Sequence, residues 1–179
     1  MENIFQKQPA ANASLHCLLA CGVSALPVKP VRIAMHYGVP CLDYANPLQR
    51  GEGGRIIRRA DGRVQIVLDP SQPAQRRRFA VVHELGHYLL GHLDRPPQPA
   101  DEYAADCFAA GVLMPACVLR GLHVHKADDI AYLCSVTRGA AETRAGHLQR
   151  LYRRGEFSTH PLEPQVLRQF EGFLEAHGK

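Results

Sequence analysis

The segment His83-Glu84-Leu85-Gly86-His87 sets two imidazoles four residues apart, with a carboxylate directly after the first. On an α-helix, positions i and i+4 lie one turn apart on one face. Two imidazoles so placed can converge on a single tetrahedral ion. Glu84 is rotated by about 100 degrees from His83. Its carboxylate can therefore reach a metal-bound water as general base without ligating the metal. With 10 His in 179 residues, the bare pattern has roughly a 3% chance of arising in a shuffled chain. The setting adds the weight. The motif lies inside a strongly periodic helix, and both His fall off the apolar stripe formed by Phe79, Val82 and Leu89.

A catalytic zinc needs a third protein ligand and keeps one position open. Glu102 and Asp106, four apart near the start of a second expected helix, share a face. Glu102 can bind the ion, and Asp106 can hydrogen-bond the outer ring nitrogen of a ligating His and fix its tautomer. His92 and Asp101 are the competing ligands. His92 does not fit the metzincin spacing, because Leu90 and Leu93 stand where that pattern wants Gly and His. Its alternative place is at a helix C-terminus, against the end carbonyls. The cluster could also be an ordinary polar helix face. Gly86 argues against that, since a mid-helix glycine costs about 1 kcal/mol relative to Ala. Close approach of a neighbouring helix would offset it.

These residues need elements to hold them. An amphipathic helix is expected from about Ala10 to Val23, with Leu15, Leu18, Leu19 and Val23 on one side. A second runs from Val31 to Tyr37 and stops at Gly38. Residues 45–54 read as a loop. Ile56 and Ile57, then Asp61-Gly62, then alternating Val64, Ile66 and Leu68 predict a β-hairpin, with Asp-Gly supplying positive φ angles at a tight turn. Ser71 is placed to cap the motif helix, which should span about Pro73 to Leu90 and end at Gly91. Its expected core face is Phe79, Val82, Leu85, Leu89 and Leu90. Prolines mark 94–100 as a loop. A further helix follows from Asp101 to Leu113, ended by Met114-Pro115. Helical pieces then cover 128–134, 138–153 and 164–176.

The bulk properties set limits. The length of 179 residues suits one compact domain with a small appendage, divided here as a core over 1–125 and a helical segment over 126–179 packing on it. The net charge of +4 permits a nucleic-acid or acidic-protein partner without requiring one. The densest basic run, Arg76-Arg77-Arg78, reads as a solvated helix face, or one that orders an acidic loop or substrate. The six cysteines, several inside apolar stretches, read as reduced thiols. No apolar run is expected to cross a bilayer. Leu18-Leu19-Ala20-Cys21 looks like a lipoprotein cleavage site, but the stretch before it is broken by Asn12, Ser14 and His16 and suits export poorly. The expectation is a cytoplasmic protein without a membrane partner.

The sequence resembles the ImmA/IrrE family of metallopeptidases. The likeness rests on Arg78-Phe79-Ala80-Val81-Val82-His83-Glu84-Leu85-Gly86-His87-Tyr88-Leu89-Leu90 and on Glu102-Tyr103-Ala104-Ala105-Asp106-Cys107-Phe108-Ala109, with Val112-Leu113-Met114-Pro115 following. It covers roughly residues 15 to 150 and is strongest at the two helical motifs. It implies a gluzincin-like α+β fold, mostly helical with a small antiparallel β-sheet. By that likeness, His83 and His87 match the paired zinc ligands, Glu84 the catalytic carboxylate and Glu102 the acidic third ligand. Asp106 matches a position where many relatives carry Asn. Such proteins act in the bacterial cytoplasm and cleave or inactivate transcriptional repressors. Many carry an N-terminal helix-turn-helix domain. The residues before about 30 leave no room for one, so the expected substrate is a separate helix-turn-helix repressor.

The expected function is thus a zinc-dependent, site-specific endopeptidase in which Glu84 activates a zinc-bound water. Tyr103, Tyr88, His123 and His125 are the candidate oxyanion donors; His123 and His125 also read as a surface pair. The strand Val64–Leu68 is expected to offer its edge to an extended substrate. The same donors would also accept manganese or iron. Two other readings compete. One is a DNA- or protein-binding regulator with a structural metal. For this, the tail around Ile130, Cys134-Ser135-Val136-Thr137 and Arg144 resembles a helix-turn-helix, and Arg138, Arg150, Arg153 and Arg154 suit phosphates. The less demanding view, favoured here, is that this tail caps the core or docks substrate. The other reading is a deformylase-like amidase, which the lack of an upstream cysteine-ligand motif disfavours.

Overall fold

The computed structural model describes residues 9–44, 53–96, 98–155 and 160–178. Most of the loop expected at 45–54 therefore lies outside the described residues, as does Pro97. Contacts divide the chain into two units. The first holds the described residues up to Ala13 together with Lys29–Ala109, and the second holds Ser14–Val28 and the chain from Ala110 onward. The chain passes between the units at 13/14, 28/29 and 109/110.

In the first unit, helix α2 (Pro30–His36) leads into strand β1 (Cys41–Asp43), then the hairpin β2 (Gly54–Arg58) and β3 (Val64–Leu68). β2 and β3 pair antiparallel, with Ile56 opposite Ile66, and β1 joins β3 in parallel, with Leu42 opposite Val67. The fold is α+β and mostly helical, and its small sheet has the order β1-β3-β2 and mixed sense. β1 belongs to no hairpin, so turn chemistry could not announce it. The topology also corrects an expectation. β3 is the central strand, paired with β2 along its length and with β1 over Ile66–Leu68, so the outer edges of the sheet belong to β2 and β1. The hairpin turn is looser than the two-residue form. Arg59 N donates to the Arg63 carbonyl at 2.8 Å, and only Gly62 (φ +81) takes a positive φ there.

Helix α3 (Ala74–Leu89) packs against β2, β3 and α2. It buries Val81, Val82, Leu85, Gly86 and Leu89. Phe79, assigned above to the core stripe, instead lines a cleft. Ser71 does not cap α3. Its amide and hydroxyl both donate to Asp69 Oδ1, and Pro73 occupies the cap position without a side-chain bond. Gly91 (φ +78) turns the chain into a short 3-10 turn, His92–Asp94, which ends where the expected loop begins. Helix α4 (Ala100–Leu113) follows. A Cβ added at Gly86 would lie 3.0 Å from Phe108 Cδ1 of α4, and Phe108 is fully buried. The two helices meet at that point.

Helix α1 (Ala10–Ala20) buries Ala13, Ser14, Cys17 and Leu18, a face rotated from the one expected, which leaves Leu15 and Leu19 half-buried. In the second unit, Gly111 of α4 lies so near Ser14 that a Cβ there would come within 2.1 Å of its Oγ. Helices α5 (Ala116–Gly121), α6 (Ala127–Cys134), α7 (Arg138–Arg154), α8 (Glu163–Gln169) and α9 (Glu171–His177) complete the unit. α5 was not expected, and the last expected helix is split at Phe170. Thr137 caps α7, accepting from Ala140 N at 3.3 Å. Arg144 Nε donates to the Met114 carbonyl at 2.7 Å, near the end of α4. By length and composition alone, the helical stretch Ala100–Gly121 could cross a bilayer, contrary to the sequence expectation. Most of it is buried within the protein, as a core helix would be.

All six cysteines are free thiols. Burial pushes the Cys41 and Cys117 thiols up to about 11. Raised values favour the protonated folded form. This contribution is present below the unfolded value near 8.5 and is lost as pH climbs toward 11. At pH 8, alkylation of Cys41 and Cys117 in the native chain should be about 100-fold slower than in the denatured chain, as read by mass spectrometry; comparable rates would contradict their burial. Gly86→Val should overpack against Phe108 and lower stability by about 1–3 kcal/mol in denaturant unfolding.

Candidate metal centre

α3 presents His83 and His87 one turn apart, and the start of α4 presents Glu102 and Asp106 one turn apart. Because the helices approach closely at Gly86, the two pairs meet. His83 Nε2 and His87 Nε2 are 3.1 Å apart. Glu102 Oε2 lies 3.3 Å from His83 Nε2, and its Oε1 lies 3.4 Å from His87 Nε2. One donor atom from each of the three residues falls within 4.8 Å of the others. Donors about 2.0–2.1 Å from a tetrahedral ion stand roughly 3.3 Å from each other. The observed spacings are of that size, so these side chains could hold a divalent cation without rearranging the backbone. Among the described residues, no other cluster of His, Cys, Asp and Glu meets this criterion.

The outer nitrogens are held as well. Asp106 Oδ1 is 2.9 Å from His83 Nδ1, and His92 Nδ1 is 3.0 Å from His87 Nδ1. His92 thus stands behind His87 rather than beside it. Asp101 does not face the three donors either. It accepts from Arg95 Nη2 at 2.5 Å and from the Gln98 amide at 2.8 Å. Arg95 holds the Asp101 carboxyl down to about 2. Burial, followed by the nearby His83, pushes His87 below its ordinary value. A lowered value keeps the ring neutral near pH 7, the form that binds a metal.

The centre opens into a cleft of about 520 Å³ lined by β2, α3, the 3-10 turn and the start of α4. His83 and His87 are only 16% and 12% exposed, whereas Glu102 is 74% exposed, so solvent reaches the centre from the carboxylate side. Glu84 lines the same cleft, and its Oε2 accepts from the Ile56 amide at 2.8 Å. That amide points away from β3, because the opposed Ile66 donates its own amide to Pro40, beside β1. The outer edge of β2 is therefore the one bordering the cleft.

Of the four expected oxyanion donors, none lines this cleft. Tyr103 is 74% exposed, Tyr88 lies off the lining, and His123 and His125 belong to the second unit. The sequence reading missed Arg55 and Arg76, which do line it. Arg55 alternates outward on β2. Arg76 belongs to the basic run read as a solvated face, but the run divides: Arg76 borders the cleft, while Arg77 pairs with Asp43. The alternation about Ile56 could have flagged Arg55. No local signal separates Arg76 from its neighbours.

The geometry predicts one high-affinity zinc per chain by calorimetric titration, with affinity reduced roughly 100-fold or more by His83→Ala, His87→Ala or Glu102→Ala. Unchanged affinity in these variants would contradict the centre. No curated protein matches the sequence. The IrrE N-terminal-like domain (Peptidase M78) matches residues 46–146, more than half of the 179-residue chain. That match spans β2, β3, the whole candidate metal centre and the close approach at Gly86, and the chain belongs to this family of metallopeptidase domains.

Proposed function

We propose that the chain is a zinc-dependent, site-specific endopeptidase whose substrate is a cytoplasmic transcriptional repressor. The observation that carries the reading is the convergence of His83, His87 and Glu102 in one cleft with Glu84. Three protein donors on an open, solvent-reached site suit catalysis rather than a closed structural ion. Bound there, the ion would supply Lewis acidity, lowering the pKa of water and polarising the scissile carbonyl. Manganese or iron would suit the same donors less specifically.

The chain's own residues supply the rest. The Ile56 amide holds one oxygen of Glu84 and fixes the carboxylate beside the cleft. Glu84 takes a proton from the attacking water and delivers it to the departing amine. Asp106 holds His83 at its outer nitrogen. An extended substrate segment adds to the outer edge of β2, where backbone groups give affinity and side-chain pockets give selectivity. Arg55 and Arg76, the cationic groups on that wall, can donate to developing negative charge.

The test uses the purified chain and a panel of helix-turn-helix repressors from the same cell. Zinc-loaded protein should cut one of them at one site, and a chelator should abolish cutting. Glu84→Gln should retain zinc and lose about 10²–10⁴-fold in rate. A repressor that is bound but left intact by the zinc-loaded chain would favour the regulator reading instead.

A further inference from the structure

The two candidate ligand imidazoles are backed differently. His83 meets a carboxylate directly, through Asp106. His87 meets another imidazole. Gly91 swings the chain so that His92 Nδ1 lies 3.0 Å from His87 Nδ1. On its far side, His92 Nε2 lies 3.7 Å from Asp101 Oδ1. Asp101 is fixed in turn by Arg95, at 2.5 and 3.1 Å, and by the Gln98 amide at 2.8 Å. The side chains of His92 and Asp101 are 7% and 8% exposed, so this pair is buried, with Arg95 closing it from the solvent side.

Two ring nitrogens at hydrogen-bond distance share one proton, and either can be the donor. The Asp101 carboxylate, 3.7 Å from His92 Nε2, biases the choice electrostatically. An anion beside His92 Nε2 favours an N–H there and disfavours a lone pair. A neutral His92 with its proton on Nε2 presents Nδ1 as an acceptor. His87 must then carry its proton on Nδ1, which leaves the Nε2 lone pair facing His83 and Glu102. The opposite arrangement would put the His87 proton on Nε2. That proton would bond to His83 Nε2, 3.1 Å away, and close the centre with an internal hydrogen bond. It would also turn a His92 lone pair toward Asp101.

We propose that His92 and Asp101 are positioning residues: acting through His92, the Asp101 carboxylate holds His87 in the tautomer whose Nε2 can bind a divalent cation. The proposal rests on the reading of His83, His87 and Glu102 as metal ligands. It gives His92 and Asp101 a role in metal affinity without making either a ligand. Partners of this kind are worth about 10–100-fold in metal affinity.

The test needs the full chain and zinc alone. In ¹⁵N-histidine spectra of the metal-free wild type, His87 should be protonated on Nδ1, a readout that needs no variant and that a merely structural role for His92 would not set. His92→Phe, which removes the acceptor but keeps a ring, should lower zinc affinity about 10–100-fold with an unchanged thermal melt. His92→Gln, whose amide oxygen can accept from Nδ1–H, should recover most of that loss. A His87 ring protonated on Nε2, or a folded His92→Phe variant within twofold of wild-type affinity, would overturn the proposal while leaving the metal centre standing. A wild-type chain that binds no zinc would remove the centre and this inference together.

Discussion

The site depends on the close approach of α3 and α4 at Gly86 and Phe108. A Cβ at Gly86 would lie 3.0 Å from the Phe108 ring, so even Ala would need its neighbour to give by a few tenths of an ångström, and a larger side chain would need more. Only with that approach do the carboxylates on α4 come within 3.5 Å of the imidazoles on α3. Each helix carries half the constellation, His83 and His87 on α3 and Glu102 and Asp106 on α4. The packing of an apolar ring on a glycine is thus the mechanical basis of the polar chemistry one turn away. A mid-helix glycine costs about 1 kcal/mol relative to Ala, and here it permits the tight contact with Phe108.

Around this contact, polar groups are arranged in layers. The three candidate donors face inward. Asp106 and His92 hold the outer nitrogens of the imidazoles, and Asp101, gripped by Arg95, stands behind His92. The Ile56 amide does the same for Glu84 from the sheet side. His83, His87 and Glu84 are therefore each held by a second group. Such restraint limits how far an acid, base or ligand must reorganise when it reacts.

Much of this was legible in the sequence, for local reasons. The four-residue spacings of His83 with His87 and of Glu102 with Asp106 state helical faces directly. Asp61-Gly62 marked the hairpin, and Gly91 the end of α3. Gly86 signalled a helix contact, though not its partner. What was not legible depended on three-dimensional placement. Strand β1 joins the sheet through a parallel pairing that leaves no turn signature, and with it went the judgement of which strand has a free edge. The direction of His92 depends on the dihedral angles of Gly91. Phe79 shares the period of the core residues but faces the cleft. Arg76 differs from Arg77 only in which neighbour it meets.

The central claim is that two imidazoles and a carboxylate on these helices form one metal centre. X-ray absorption at the zinc edge of the loaded chain tests it most directly. The account predicts two imidazole shells at about 2.0–2.1 Å with the remaining donors oxygen. Sulfur scattering near 2.3 Å, or a single imidazole, would place the ion elsewhere and contradict it.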